Sequence, residues 1–319
     1  MKHIDYPYTQ FDNLVQMPTT FTLCDHIKGF NLSKTNDFFK NLNNYGKLKN
    51  IKYDIIYHNV LENDIKSSYP HLNIKFSSEL QNKLNLNKFL SYNIHPTINY
   101  KNFICSFNGS DHVSRKLLVS ILQKFGYFNP AYCSKNFSYS TNVLNGHVYD
   151  YVQDNDNFYC KFFISDDSED FFQSVYTFDY TRFQHDKNIY NLETRLTESF
   201  LHVVSETMAT SYVPFVTEKF LYSIVTRGLF LAYAQPGWHA HVEKYYGFKR
   251  YTKLFDYRFD SIENPVERVV ELMCMISKFS RLTTVEWYDL YLIEQDTIEY
   301  NYDHYFSGSY LKYLKKYSD

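Results

Sequence analysis

The strongest constraint on the fold lies between Leu201 and Gly247. The apolar run LHVVSE is followed by a helix signal at Thr217, by a second apolar run LFLAYA, by a Gln-Pro-Gly turn and by another helix signal that stops at Gly247. Thr217 has the side chain that caps a helix, Phe220, Leu221, Ile224 and Val225 fall on one face behind it, and Gly228 marks its end. Strand, helix, strand and helix with short connections predict a parallel sheet covered by helices.

The same pattern recurs upstream. NFICSF is a short apolar strand and NGSDH a turn, and VSRKLLVSILQKFG sets Val113, Leu117, Ile121 and Phe125 on one helical face with Gly126 behind them. Earlier still, TFTLC and the segment from Ile51 to Val60 read as strands, the second because Tyr53, Ile55 and Tyr57 alternate with Lys52, Asp54 and His58. SIENPVERVVELMCMISKF predicts a packed helix, with Asn264 at the N-cap, Pro265 at the first position, Glu267 where a capping box places its acid, and a stripe of Val266, Val269, Val270, Met273 and Ile276. Residues 131–184 carry no long periodicity and are expected to hold the crossing between two domains. The expectation is an α/β chain with one unit over residues 1–150 and another over 151–319, the final helix being free to cross back.

Composition narrows the partners. The formal net charge of −2 and 21% charged residues leave no overall basic field for nucleic acid or a membrane surface. Aromatic residues reach 19% with only 9 glycines, a bias that accompanies abundant Asn, Lys and Ile and points to an A+T-rich genome, so interleaved aromatics carry little functional weight. The five cysteines, Cys24, Cys105, Cys133, Cys160 and Cys274, are scattered and never spaced C-x-x-C, which argues against a disulfide framework or zinc knuckle and fits a reducing cytoplasm. No stretch approaches the roughly 18 apolar residues of a membrane span, and the N-terminus lacks the apolar core of a signal peptide. A soluble, cytoplasmic protein is expected.

In a parallel sheet, ligands bind outside the carboxyl ends of the strands, so the strand ending at Glu206 delivers its following loop to a binding edge. A helix opening at Thr217 would aim free N–H groups at the same crevice, where an anion such as a diphosphate is stabilised. Lys219 adds a full charge, and Glu218 could accept hydrogen bonds from a ribose diol. The same residues would also serve simply to start a helix, with Lys219 solvated.

Other acidic and imidazole groups are weaker candidates. DND at Asp154 to Asp156 and DDSED at Asp166 to Asp170 could hold a metal-bound diphosphate, but no flanking apolar strand presents them and they read as exposed loops. His239 and His241 follow Trp238 with no third ligand nearby, so they are expected to line a sugar pocket beside Trp238 rather than to bind a metal. No metal and no cofactor is expected.

The run from Phe200 to Leu272 resembles a group of glycosyltransferase-like proteins of bacteriophages and large viruses, and its V-T-E-K segment is similar to the donor motif of fucosyltransferases. The likeness rests mainly on Glu206, Thr217, Glu218, Lys219, Pro236, Gly237, Gly247 and Phe248. NFICSFNGSDHVSRKLLVSILQKFGYFNPAYCS resembles a second marker of that group, although SDHVSR stands where the group has an Arg-Pro-rich turn with a His-Arg pair. The resemblance implies two Rossmann-like domains facing a cleft, the GT-B arrangement, with transfer of a sugar from a UDP- or GDP-linked donor and no metal. It implies that Glu218 holds the ribose, that Lys219 and the helix start take the diphosphate, and that Arg115 reaches it from the facing side. Glu206, Thr217, Pro236, Gly237 and Trp238 complete the implied donor site.

A transferase that inverts the anomeric centre needs a base, for which Asp25, His26, Asp111 and His112 are candidates because they follow strand ends. The viral likeness and the basic stretch from Lys40 to Lys52 suggest double-stranded DNA carrying 5-hydroxymethylcytosine as acceptor, its target base flipped from the duplex. Glycan, lipid or protein acceptors stay open. So does a transferase-like fold kept as a viral binding or structural component. A dehydrogenase is disfavoured because no G-x-G-x-x-G follows a strand.

Overall fold

The computed structural model describes residues 2–5, 19–24, 32–57, 63–77, 99–109, 113–137, 174–178, 185–206 and 214–317. They form a mixed α/β chain with two four-stranded sheets, each wholly parallel.

The first sheet has the order β1 (Lys2–Asp5), β2 (Thr20–Cys24), β3 (Tyr53–Tyr57), β4 (Leu72–Phe76). Helix α1 (Leu32–Lys49) returns the chain from β2 to β3, and α2 (Asn63–Ser67) from β3 to β4. The alternation read in the sequence is the burial pattern: Tyr53, Ile55 and Tyr57 are buried while Asp54 is exposed. Phe38, Phe39 and Leu42 of α1 cover this face, and the rings of Phe39 and Tyr57 meet edge-on at 5.7 Å.

The second sheet has the order β6 (Cys133–Lys135), β5 (Asn102–Asn108), β7 (Ser199–Ser205), β8 (Leu229–Tyr233). The expected division at residue 150 is therefore misplaced. β5, helix α3 (Val113–Lys124) and β6 belong with β7 and β8, because β5 hydrogen-bonds to a strand that follows it across a long intervening segment. Local periodicity carries no trace of such a pairing. From β5 the chain steps outward to β6 on one side and then through β7 to β8 on the other, so the order reverses between β5 and β7. In open α/β sheets such a reversal point is where a ligand crevice is expected, outside the carboxyl ends of the strands.

Both faces of the sheet are covered, which is why β7 and β8 are buried at every position and read as unbroken apolar runs. One face holds α4 (His185–Thr197), α5 (Leu221–Val225) and α8 (Thr284–Ile293), with Phe200 stacked 5.8 Å from Trp287. The other face holds α7 (Pro265–Ser277), whose Pro265 carbonyl accepts from the Tyr233 hydroxyl, and α3, which packs on α7. Asn264 caps α7 as its sequence predicts, accepting from the N–H groups of Val266 and Glu267. Helices α6 (Trp238–Tyr246), α9 (Gln295–Phe306) and α10 (Tyr310–Lys315) complete the unit. The final helix packs on α6, with Leu314 in the same core, so it stays with the second sheet.

One helix end differs from its reading. The turn after α5 is made left-handed by Arg227, at φ 51°, not by Gly228. Arg227 is held there by an ion pair with Glu299 at 2.9 Å and by the Tyr302 ring 3.5 Å away. Gly228 is required for a different reason: a Cβ there would meet Cε1 of the buried His202 ring at 2.2 Å. Among the described residues no helix is long and apolar enough to cross a membrane.

Candidate functional site at the carboxyl edge

The carboxyl ends of β5, β6, β7 and β8 bring Asn108, Lys135, Glu206 and the Pro236–Gly237 turn to one edge of the second sheet. The first turn of α3 adds Arg115 and Lys116, both buried. Buried polar groups also occur elsewhere in the core, among them His202, Asp260, Arg268 and Glu294, but here Asn108, Lys135, Glu206, Arg115 and Lys116 share one edge of the sheet.

Glu206 is fully buried. Thr217 Oγ1 donates to its Oε2 at 2.5 Å, and the Thr217 N–H lies 3.4 Å from Oε1. Burial raises the Glu206 carboxyl above the usual range, while the Lys219 ammonium and the Thr217 hydroxyl oppose that rise. Lys219 Nζ in turn donates to Thr217 Oγ1 at 3.1 Å and to Glu218 Oε1 at 3.3 Å. Glu206, Thr217, Glu218 and Lys219 thus form one connected cluster. Glu218 and Lys219 are neither solvated nor sealed, with side chains 17% and 24% exposed.

The helix behind them is shorter than its sequence suggests. Thr217 caps a single 3₁₀ turn, Glu218–Phe220, that runs into the five-residue α5. A helix this short has little macrodipole, so the fixed charge of Lys219, rather than a helix end, is what this side of the crevice offers an anion.

Across the crevice the strand registers align a second polar group. Asn108 pairs with Lys135 and Ser205 with Tyr233, and the β5–β7 register continued along both strands sets Asn108 level with Ser205. All three of Lys135, Asn108 and Ser205 are buried. Burial lowers the Lys135 ammonium to about 8. Asn108 Nδ2 donates to Ser106 Oγ at 3.1 Å and to the Ser134 carbonyl at 3.2 Å. Sequence reasoning stopped at the Asn-Gly turn and missed Lys135 and Ser205, whose only signal is their position as the last residues of their strands.

The remaining predicted residues divide. Gly237 opens α6 in the left-handed region at φ 74°, where its N–H donates to the Asp260 carbonyl, so the Pro-Gly turn shapes the edge through its backbone. Trp238 is fully buried, donates its indole N–H to the Phe215 carbonyl at 3.2 Å and packs edge-on against Phe220. It is a core residue and does not line a pocket. His239 is likewise internal: Nε2 accepts from the Ala232 N–H at 2.9 Å, which leaves Nδ1 to carry the proton that meets Asp260 Oδ1 at 2.7 Å. Asp260 also accepts from the N–H groups of His239 and Ala240 and so caps α6 from a distant loop. His241 is buried as well. Asp25, His26, Asp111 and His112, the expected bases, and the acidic stretches at 154–156 and 166–170 lie outside the described residues.

Among the described residues no group of three or more His, Cys, Asp or Glu side chains is placed to hold a metal. An open cavity of about 480 Å³ is lined by residues that include Arg250, Lys253, Asp256 and Lys278, but it shares no residue with the carboxyl edge. Its Arg250, Lys253 and Asp256 are already engaged with Glu243, the Ile293 carbonyl and Arg258. No protein-family profile, curated protein or solved structure matches this chain.

Proposed function

We propose that the chain is a glycosyltransferase that moves a sugar from a UDP- or GDP-linked donor to a hydroxyl acceptor, with the donor bound at the carboxyl edge of the second sheet. The observation that carries this reading is the gathering of Lys219, Arg115 and Lys135 around the reversal point between β5 and β7. Transfer from a nucleoside diphosphate leaves negative charge on the departing phosphate, and cations fixed in a poorly solvated crevice stabilise it without reorganisation. Lys219 meets the diphosphate on one side and Arg115 on the other, while Glu218, beside Lys219, accepts from the ribose hydroxyls.

The two-domain GT-B arrangement belongs to the same proposal and is supported by the presence of two parallel sheets. The acceptor we propose is hydroxymethylated cytosine in duplex DNA. Lys40, Lys47, Lys49 and Lys52 are exposed along and just beyond α1, where they could neutralise phosphates.

Thermal shift with UDP, GDP and their glucose and mannose conjugates tests the donor site. Stabilisation that disappears in Lys219→Ala and weakens in Glu218→Ala supports it, and indifference of the wild-type protein to every nucleotide favours a non-enzymatic binding component. Incubation with hydroxymethylated DNA and the stabilising donor, followed by nucleoside mass spectrometry, tests the acceptor.

A further inference from the structure

Three buried polar atoms of the second unit, Asn108 Oδ1, Ser205 Oγ and Tyr246 Oη, have no hydrogen-bond partner among the described residues. The first two stand level on neighbouring strands at the reversal point. The Asn108 amide cannot be turned to remove its mismatch. Ser106 Oγ spends its own proton on the Val203 carbonyl at 2.8 Å, so it can only accept from Asn108, and the Ser134 carbonyl can only accept as well. The nitrogen side of the amide is therefore fixed toward β6 and the body of β5, and Oδ1 is left as an acceptor with no donor. A buried polar group in that state is costly, and two adjacent ones at a sheet's binding edge call for an explanation.

We infer that Asn108 Oδ1 and Ser205 Oγ form a subsite for vicinal hydroxyls of the transferred sugar, an inference that rests on the donor reading above. A carboxamide oxygen accepts from one hydroxyl, and a serine hydroxyl both donates to and accepts from the next. This pairing suits a diol and would suit a phosphate poorly, since a phosphate offers no proton to Oδ1. The cations nearby place the charged part of the same ligand: Lys135 shares the row with Asn108, and Lys219 stands across the crevice beside Thr217. The subsite lies where the chain leaves β5 and β7, and the segments that follow, residues 110–112 and 207–213, are outside the described residues. A hydroxyl that meets these atoms is enclosed, so an analogue lacking it is rejected more strongly than loss of an exposed contact would allow.

The experiment compares UDP with UDP-glucose, and free glucose with glucose 1-phosphate, by thermal shift on wild-type protein, Ser205→Ala, Asn108→Leu and Lys219→Ala. Ser205→Ala is the decisive variant, because its hydroxyl has no partner to lose among the described residues. It is expected to melt no lower than wild type when ligand-free, to respond to UDP as wild type does, and to lose about fivefold in affinity for UDP-glucose, the value of one neutral hydrogen bond. Lys219→Ala is expected to lose the UDP response itself.

If Lys219→Ala loses the UDP response while Ser205→Ala keeps the full advantage of UDP-glucose over UDP, the subsite is overturned and the donor site stands. If no nucleotide binds, the donor site fails, and the subsite stands only on a response to glucose or glucose 1-phosphate that Ser205→Ala and Asn108→Leu diminish. A ligand-free Ser205→Ala that melts lower, with every ligand response unchanged, shows a hydroxyl that serves the fold and also overturns the inference.

Discussion

Thr217 Oγ1 and Glu206 Oε2 are joined by a 2.5 Å hydrogen bond that ties the end of β7 to the start of the next helix. The carboxylate is buried and the hydroxyl also receives Lys219 Nζ, so one threonine holds the acid and the cation of the cleft in register. Thr217→Val removes the hydroxyl that donates to Oε2 and is expected to lower stability by roughly 1–3 kcal/mol, read from the urea midpoint, while Thr217→Ser keeps most of it.

The same carboxyl sets a pH dependence. Its folded pKa lies above the usual 4.5, so the folded state holds its proton after the unfolded state has lost one. Stability from this group is complete below pH 4.5 and declines as pH rises toward the folded value. Glu206→Gln, which keeps an acceptor for Thr217, is expected to gain on the wild type in denaturant titrations as pH is raised from 4 to 8.

His202, in the middle of β7, acts with the opposite sign. It is buried between the Ser223 hydroxyl, 2.9 Å from Nδ1, and the Leu196 carbonyl, 2.7 Å from Nε2, and burial lowers it from 6.5 to about 4. The unfolded chain takes up the proton first, so stability falls as pH drops from 6.5 to 4, by roughly 3 kcal/mol in all. His202→Gln is expected to flatten that acid limb of the stability profile.

Gly228 faces the same ring. Gly228→Ala drives a methyl into His202 and is expected to cost about 1–3 kcal/mol, because the ring is clamped at both nitrogens and cannot step aside. Adding His202→Ala to Gly228→Ala should recover part of that loss in a double-mutant cycle.

Trp238 separates a core role from a pocket role. Trp238→Phe vacates volume against Phe220 and removes the indole N–H that donates to the Phe215 carbonyl, so its melting temperature is expected to fall. The folded fraction is expected to respond to UDP as the wild type does, and a weakened response at full folding would return the indole to the ligand.

The elements that announce themselves by periodicity and caps were readable: β5 with α3, and β7 through α7. Asn264 and Gly247 sit where their residue types place them, as cap and left-handed stop. α4 carried an equally plain stripe in Ile189, Leu192 and Leu196, but the aromatic, Asn-rich segment before it obscured the return of order. Asp260 could not have been read as the cap of α6, since it lies 21 residues beyond His239, past the helix it caps. Of the site, the Glu206–Lys219 cluster was legible because its members are close in sequence. The Lys135–Asn108–Ser205 row was not, because register between distant strands leaves no mark on local spacing.

The pairing of β5 with β7 governs how this chain can be made. Ser106 and Val203, joined by a hydrogen bond, are 97 residues apart, so on the ribosome β5 must wait for most of a hundred further residues before its central neighbour exists. A gene split at codon 150 would strand each fragment with half a sheet, and only their co-expression could yield soluble product.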